Sequence, residues 1–231
     1  MNIALLTAAG KSERMKMDTP KQFIDVKGCP VIVHTMRAFE RHPEIDYIIV
    51  VTLPKWRNTI SAYAIKYGIS KLKWLADGGK TNQESIYNGL LELKKHCSET
   101  DIVMVHDGNR PMVSQEIITD SLATCREYGG AVAAIPCIEA IFRSKDGKSS
   151  SESIPREELY RTQTPHTYTL AHLLRAHNTA IEQHIESTTA TCVLLGKLGE
   201  EIHFSKGSDK NLKITVQDDL DIFEALLSNV T

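Results

Sequence analysis

Short apolar runs alternate with helix-patterned stretches over residues 3–136, and that rhythm leaves the chain few architectures to choose from. Residues 3–6, 46–52, 73–76, 101–106 and 131–136 are compact runs, mostly of apolar residues, that read as strands. Between them Val31, Ile32, Thr35, Met36 and Phe39 share one helical face, and Ile86, Leu90, Leu91 and Leu93 mark a helix over 84–95. Stretches 56–67 and 117–128 are helical as well, with Gly68 and the pair Gly129, Gly130 as their stops. Strands and helices in alternation imply βαβ units. The expected class is α/β, a mostly parallel twisted sheet with helices on both faces.

In such sheets ligands bind beyond the carboxyl ends of the strands. Polar clusters follow strands at residues 8–22, 77–85 and 107–111, so all three are expected on one edge of the sheet. The first strand runs into Ala8, Ala9 and Gly10, side chains small enough for a ligand to lie against the backbone. Arg14 and Lys21 bracket that loop. Exposed backbone N–H groups flanked by cations suit a polyphosphate. An ordinary strand-to-helix turn with two solvated cations remains open at this point.

The rhythm breaks after residue 136. A stretch over 137–168 holds an Asp-Gly pair at 146–147 and three serines at 149–151 between short extended pieces. It reads as a protruding hairpin or arm. Arms of this kind exchange between subunits, so a homodimer is expected; a loose surface loop is the alternative. Helices over 170–184, 188–196 and 217–228 and a strand over 202–205 complete a single domain of 231 residues. Asp218 and Asp219 fall in the first turn of the last helix, where carboxylates suit its positive end better than they suit a metal.

Composition excludes several classes. A net charge of −2 and a pI near 6.5 speak against a nucleic-acid or acidic-membrane binder, but not against a small anionic substrate. There is no signal-peptide pattern and no run long enough to span a membrane. Five dispersed cysteines without a C-x-x-C pair suit reduced thiols in a cytosol better than disulfides or zinc.

Five motifs occur in order. They are Ala8, Ala9, Gly10, Arg14 with Pro20, Lys21, Gln22; then Gly78, Gly79 with Ser85; then His106, Asp107, Arg110, Pro111; then Gln163, Thr164, Pro165; then Gly207 with Asn211, Lys213, Thr215 and Asp219. Together they resemble the methylerythritol-phosphate and ribitol-5-phosphate cytidylyltransferases over essentially the whole chain. The resemblance implies a Rossmann-like nucleotidyltransferase fold and transfer of CMP from CTP to a small polyol phosphate. 2-C-methyl-D-erythritol 4-phosphate, of isoprenoid biosynthesis, and ribitol 5-phosphate are the two acceptors it implies.

By that resemblance Arg14, Lys21 and Lys213 are catalytic cations around the phosphates, and Arg156 on the arm grips the acceptor's phosphate. Ala8, Ala9, Gly10 and Ser12 would cradle the triphosphate, while Gly78, Gly79 and Ser85 would read the cytosine. Asp107 would contact the nucleotide and bind Mg²⁺. Plain alternatives stand beside these roles: a turn for the two glycines, a helix N-cap for Ser85, a solvated cation for Arg156. His106 is expected to be an orienting or core residue and Arg110 to brace the Asp107 loop.

The chain also departs from the family pattern. Ser12 stands where relatives carry a second glycine, and Asn82 where they carry arginine. Residues 139–141 read Glu, Ala, Ile in place of Asp, Thr, Ile, and 189–191 read Thr, Ala, Thr in place of Thr, Asp, Asp or Thr, Asp, Ala. His166 replaces a glutamine. The nucleotide half is nearly intact and the acceptor half is altered. A non-catalytic nucleotide-binding homologue, or a cytidylyltransferase for another sugar or polyol phosphate of capsule or wall, is the alternative. A Rossmann oxidoreductase is disfavoured, because no G-x-G-x-x-G follows the first strand.

Overall fold

The computed structural model describes residues 1–10 and 19–228. In chain order it begins with β1 (Asn2–Ala8), the two-residue strands β2 (Asp25–Val26) and β3 (Cys29–Pro30), and α1 (Val31–Glu40). β4 (Tyr47–Thr52), α2 (Arg57–Tyr67), β5 (Leu72–Asp77), α3 (Asn82–Lys94), β6 (Ile102–Asp107), α4 (Gln115–Tyr128) and β7 (Gly130–Pro136) follow. The remainder is β8 (Ile141–Arg143), β9 (Glu152–Ile154), β10 (Tyr160–Thr169), α5 (Leu170–Glu182), α6 (Thr191–Lys197), β11 (Phe204–Lys206) and α7 (Gln217–Ser228).

Seven strands make one sheet in the order β11-β7-β10-β6-β1-β4-β5. β10 runs antiparallel to both its neighbours, and the other pairings are parallel. The expected mostly parallel α/β sheet is what forms. Its strands are covered on both faces, and β1 shows why its apolar run is continuous. Ala4 and Leu6 pack into a layer with residues of α1, α2 and α4, whereas Ile3 and Leu5 pack into one with α3, α5 and α6. Both leucines are fully buried, so truncating either to alanine costs about 2–5 kcal/mol. A third, smaller cluster sets Leu220 and Phe223 of α7 against Val31 and Ile214.

Local chemistry sets the helix ends. Thr81, Ser114 and Thr169 cap α3, α4 and α5, each hydroxyl accepting a backbone N–H three residues on. Gly68 and Gly129 end α2 and α4 at φ +67° and +81°, a left-handed conformation that glycine adopts without strain. Ser85 therefore is not the cap of α3; it lies inside the first turn, and Thr81 does the capping.

The stretch expected as an arm over 137–168 divides in two. β8 and β9 pair antiparallel in a separate two-stranded ribbon, with Phe142 exposed. Residues 160–169, by contrast, are β10, inserted between β6 and β7 in the middle of the main sheet. Among the described residues no helix is long and apolar enough to cross a membrane, and all five cysteines are unpaired.

Candidate active site

The carboxyl ends of β1, β4, β5 and β6 open onto one hollow of about 760 Å³. Ala8, Ala9, Gly10, Lys21, Gly78, Gly79, Ser85, Asp107 and Lys213 all line it, although they lie on five separate segments. Ser12 and Arg14 fall outside the described residues.

Gln22 and Thr52 tie down the wall from β1, Thr52 Oγ1 donating to the Ala8 carbonyl at 3.4 Å. Gln22, 3% exposed, donates from Nε2 to the carbonyl oxygens of Ala8 at 2.8 Å and Gly10 at 3.1 Å. Because those carbonyls are engaged by Gln22, they are held in a fixed direction at the turn. Lys21 sits beside it on the 3₁₀ turn Lys21–Phe23.

The opposite wall comes from the turn between β5 and α3. A Cβ on Gly78 would lie 2.3 Å from the Cβ of Ala9, so only glycine lets the two loops approach this closely. Ser85 accepts from Gly79 N–H at 3.0 Å and donates to the Thr81 carbonyl at 2.8 Å. Its hydroxyl proton is therefore committed to the loop itself. Lys80 N–H donates to Glu84 Oε2 at 2.6 Å and closes the same turn.

Asp107 ends β6 on the floor. Lys213 Nζ pairs with both its carboxylate oxygens, and Arg110 Nε donates to Oδ2 at 3.0 Å. Burial alone would raise its pKa; the two cations outweigh burial and hold the carboxyl well below the usual carboxylate range. It is ionised throughout the physiological range.

Thr164, Asn109 and Asn211, which carry no expected role, join His106 and Arg110 in building this floor. Thr164 Oγ1 accepts from Asp107 N–H at 3.0 Å and contacts His106 Nδ1 at 3.1 Å. His106 is fully buried, and burial pushes its pKa down to about 4, so it is neutral and orients rather than exchanges protons. Arg110 reaches past Asp107 to the Asn211 carbonyl at 2.7 Å, while Asn109 and Ile214 exchange hydrogen bonds. Asn211 Nδ2 in turn donates to Gln163 Oε1 and to the Thr164 carbonyl. These links fix the loop that carries Lys213 against the one that carries Asp107. Asn109 lies in the polar cluster at 107–111, between Asp107 and Arg110, yet nothing local marks its partner. Thr164 and Asn211 stood in recognisable motifs, but nothing local disclosed their partners.

Asp219 accepts from the N–H groups of Thr215 and Val216, so it closes the start of α7 as expected. Arg156 is not among the residues of the hollow. It lies beyond β9, donates to the Ile138 carbonyl at 2.6 Å and pairs with Glu157.

A second recess of about 220 Å³ adjoins the hollow and shares Thr7, Asn82, Asp107, Thr189 and Lys213 with it. Thr162, Gln163, Thr164, His166 and Thr191 line its depth. One large hollow with small residues, fixed cations and an ionised carboxylate, opening onto a small hydroxyl-lined recess, suits a nucleoside triphosphate beside a compact polar acceptor.

Comparison with known proteins gives the same reading. The family model for 2-C-methyl-D-erythritol 4-phosphate cytidylyltransferase (IspD) matches residues 2–229. A ribitol-5-phosphate cytidylyltransferase of Lacticaseibacillus paracasei is 40% identical over 229 residues, covering 98% of both chains. A 2-C-methyl-D-erythritol 4-phosphate cytidylyltransferase of Clostridium novyi is 33% identical over 230 residues, covering 99% of this chain and 97% of its own. The solved 2-C-methyl-D-erythritol 4-phosphate cytidylyltransferase of Francisella tularensis superposes with a TM-score of 0.81 at 25% identity, over 97% of this chain and 98% of that one. The chain therefore belongs to the IspD cytidylyltransferase family of CTP-dependent nucleotidyltransferases.

Proposed function

We propose that the protein transfers CMP from CTP to ribitol 5-phosphate, releasing pyrophosphate and forming a CDP-alditol. The observation that carries the transfer is the convergence of Lys21, Asp107 and Lys213 on one hollow. The acceptor is favoured by the uncharged, hydroxyl-rich depth of the adjoining recess and by the ribitol-5-phosphate enzyme at 40% identity.

An acceptor phosphate oxygen attacks the α-phosphorus, the bond to the β-phosphate oxygen breaks, and pyrophosphate leaves with its electron pair. Little else is asked of the protein beyond positioning and charge neutralisation. Lys21 lies along the triphosphate wall and Lys213 at the mouth of the recess, so the two cations flank the reacting phosphates. A phosphate nucleophile needs no base at neutral pH, consistent with the burial of His106. Gly78 and Gly79 offer backbone groups to the cytosine, and Ser85 holds that loop in shape. With its hydroxyl proton engaged by Thr81, Ser85 acts on the base through the loop.

The donor set fits Mg²⁺. Asp107 is one ionised carboxylate at the edge of a phosphate-sized hollow, and this ion takes one or two carboxylates with phosphate oxygens and water. Bound there, it would neutralise charge on the phosphates. Lys213, the more exposed of the two cations on Asp107, would be the one to leave it for the phosphates as the hollow fills.

The exposed ribbon of β8 and β9, with Ile138 and Phe142 exposed, is the surface for a homodimer, through which Arg156 would reach the partner's acceptor phosphate. The protein is expected in the cytoplasm. Pyrophosphate release with CTP, Mg²⁺ and a panel of polyol phosphates tests the assignment. Ribitol 5-phosphate is expected to give the highest kcat/KM; faster turnover of 2-C-methyl-D-erythritol 4-phosphate would replace the acceptor, and no turnover with either would end the reading.

A further inference from the structure

The recess beneath the hollow contains two buried polar atoms that the protein leaves without a hydrogen-bond partner: Nδ1 of His166 and Oγ1 of Thr191. His166 is 2% exposed and Thr191 3%. Buried polar atoms are rarely left unmatched, because each forgoes a hydrogen bond it would have made to water. They come from different elements, β10 and the first turn of α6, and both line the same 220 Å³ space.

The space is uncharged at depth. Burial pushes His166 down to about 4, so its imidazole is neutral and offers one donor and one acceptor. Thr162, Thr164 and Gln163 add hydroxyl and amide groups. Of the charges, Asp107 and Lys213 are shared with the hollow, and Arg110, which lines the recess alone, is paired with Asp107. A ligand with its anionic end at Lys213 and a neutral chain of hydroxyls below it matches this polarity.

We propose that His166 and Thr191 determine acceptor specificity by receiving the hydroxyl farthest from the phosphate of a linear polyol phosphate, an inference that rests on the acceptor reading above. A hydroxyl both donates and accepts, so one such group serves an imidazole nitrogen and a threonine oxygen together. An acceptor with a methyl group in that place leaves both unpaired. Sites built to bond a substrate hydroxyl discriminate strongly against the analogue that lacks it.

The test compares ribitol 5-phosphate with 1-deoxyribitol 5-phosphate, using wild-type protein, His166→Phe, His166→Gln and Thr191→Val. Wild type is expected to prefer ribitol 5-phosphate by about a hundredfold in kcat/KM. His166→Phe and Thr191→Val are each expected to shrink that preference about tenfold or more through the acceptor KM, with the KM for CTP unchanged. His166→Gln, which keeps donor and acceptor groups, is expected to retain more of it. An undiminished preference in both Phe and Val variants, or equal use of the two acceptors by wild type, overturns the assignment. Wild type that turns over no polyol phosphate overturns the acceptor reading itself, and this inference with it. Retained CTP binding by either variant shows that it has folded.

Discussion

Lys213 Nζ lies 3.0 Å from Oδ2 and 3.1 Å from Oδ1 of Asp107, although the two residues are 106 positions apart in the chain. Arg110 Nε bonds Oδ2 of the same carboxylate, so one anion anchors two cations. On the proposed function, the pair holds Lys213 beside the hollow that the triphosphate would fill. Replacing Lys213 by methionine is expected to lower kcat by about 10²–10³ with little change in melting temperature. Asp107→Asn leaves Arg110 and Lys213 facing each other, and is expected to destabilise the fold by about 2 kcal/mol as well as to slow turnover. Steady-state kinetics beside thermal melts would show this split; a Lys213→Met protein with normal kcat would remove Lys213 from the reaction.

Ser85 offers a different kind of test. Its hydroxyl ties Gly79 N–H to the Thr81 carbonyl, so it shapes the turn between β5 and α3 from inside the helix. Ser85→Ala leaves Gly79 N–H unmatched and removes one of the two bonds to the Thr81 carbonyl, the one from Ser85 N–H remaining, and so loosens the turn. The expected result is a KM for CTP raised about tenfold, a kcat within a factor of about three, and weaker rejection of UTP. Titration of CTP and UTP turnover decides this. A large fall in kcat with KM unchanged would mean that Ser85 acts in the transition state instead.

Much of this arrangement is legible in the sequence because parallel strands buried on both faces must be apolar throughout. β1, β4, β6 and β7 announce themselves in that way, and so do the polar clusters at their carboxyl ends. β10 does not. It reads Tyr, Arg, Thr, Gln, Thr, Pro, His, Thr, Tyr, Thr, with a proline inside it, and neither apolar runs nor alternation mark it as central. Six of its ten positions are nevertheless buried, because Thr167 bonds Ser121, Thr164 bonds Asp107 N–H, and Gln163 bonds the loop at 208–211. Its register slips between Thr162 and His166, around Pro165, where a strand proline is tolerated. A strand held by polar side chains is hidden from hydrophobic pattern, so the stretch that reads as an arm runs on into residues that belong to the main sheet. The Asn109 and Asn211 contacts were hidden for the same reason: each partner lies 47 or more residues away.

Arg156 provides a test of subunit exchange. Within its own chain it bonds the Ile138 carbonyl and Glu157 and does not line the hollow. If the ribbon carries it to a second subunit, Arg156→Ala and Lys213→Met proteins are each nearly inactive alone, yet a mixture regains activity. One heterodimer site in two is then whole, so random reassociation restores about a quarter of wild-type activity. Activity measured after mixing and light scattering of each variant decide the matter. No recovery from mixed dimers would confine Arg156 to its own chain or remove it from the site.

Acid sensitivity follows from histidines shielded from water: burial lowers the pKa of His34 and His42, and that of three others further. His106, His166 and His177 are 0%, 2% and 3% exposed, and burial lowers each from the ordinary 6.5 to about 4. Between those values the unfolded chain binds protons that the native protein refuses. Stability therefore rises with pH across this window and is lost as pH falls from about 6.5 to about 4. The full effect is on the order of 3 kcal/mol per histidine at the acid end. His177 is the cleanest to remove, since its Nε2 has no partner and its ring stacks on Tyr87 at 5.5 Å. His177→Phe keeps the stack and deletes the titration. Its melting temperature is expected to match wild type at pH 7.5, and its acid slope between pH 6.5 and 4 to be shallower, the other lowered histidines supplying the remainder. Parallel slopes for the two proteins would show that His177 takes up its proton without unfolding.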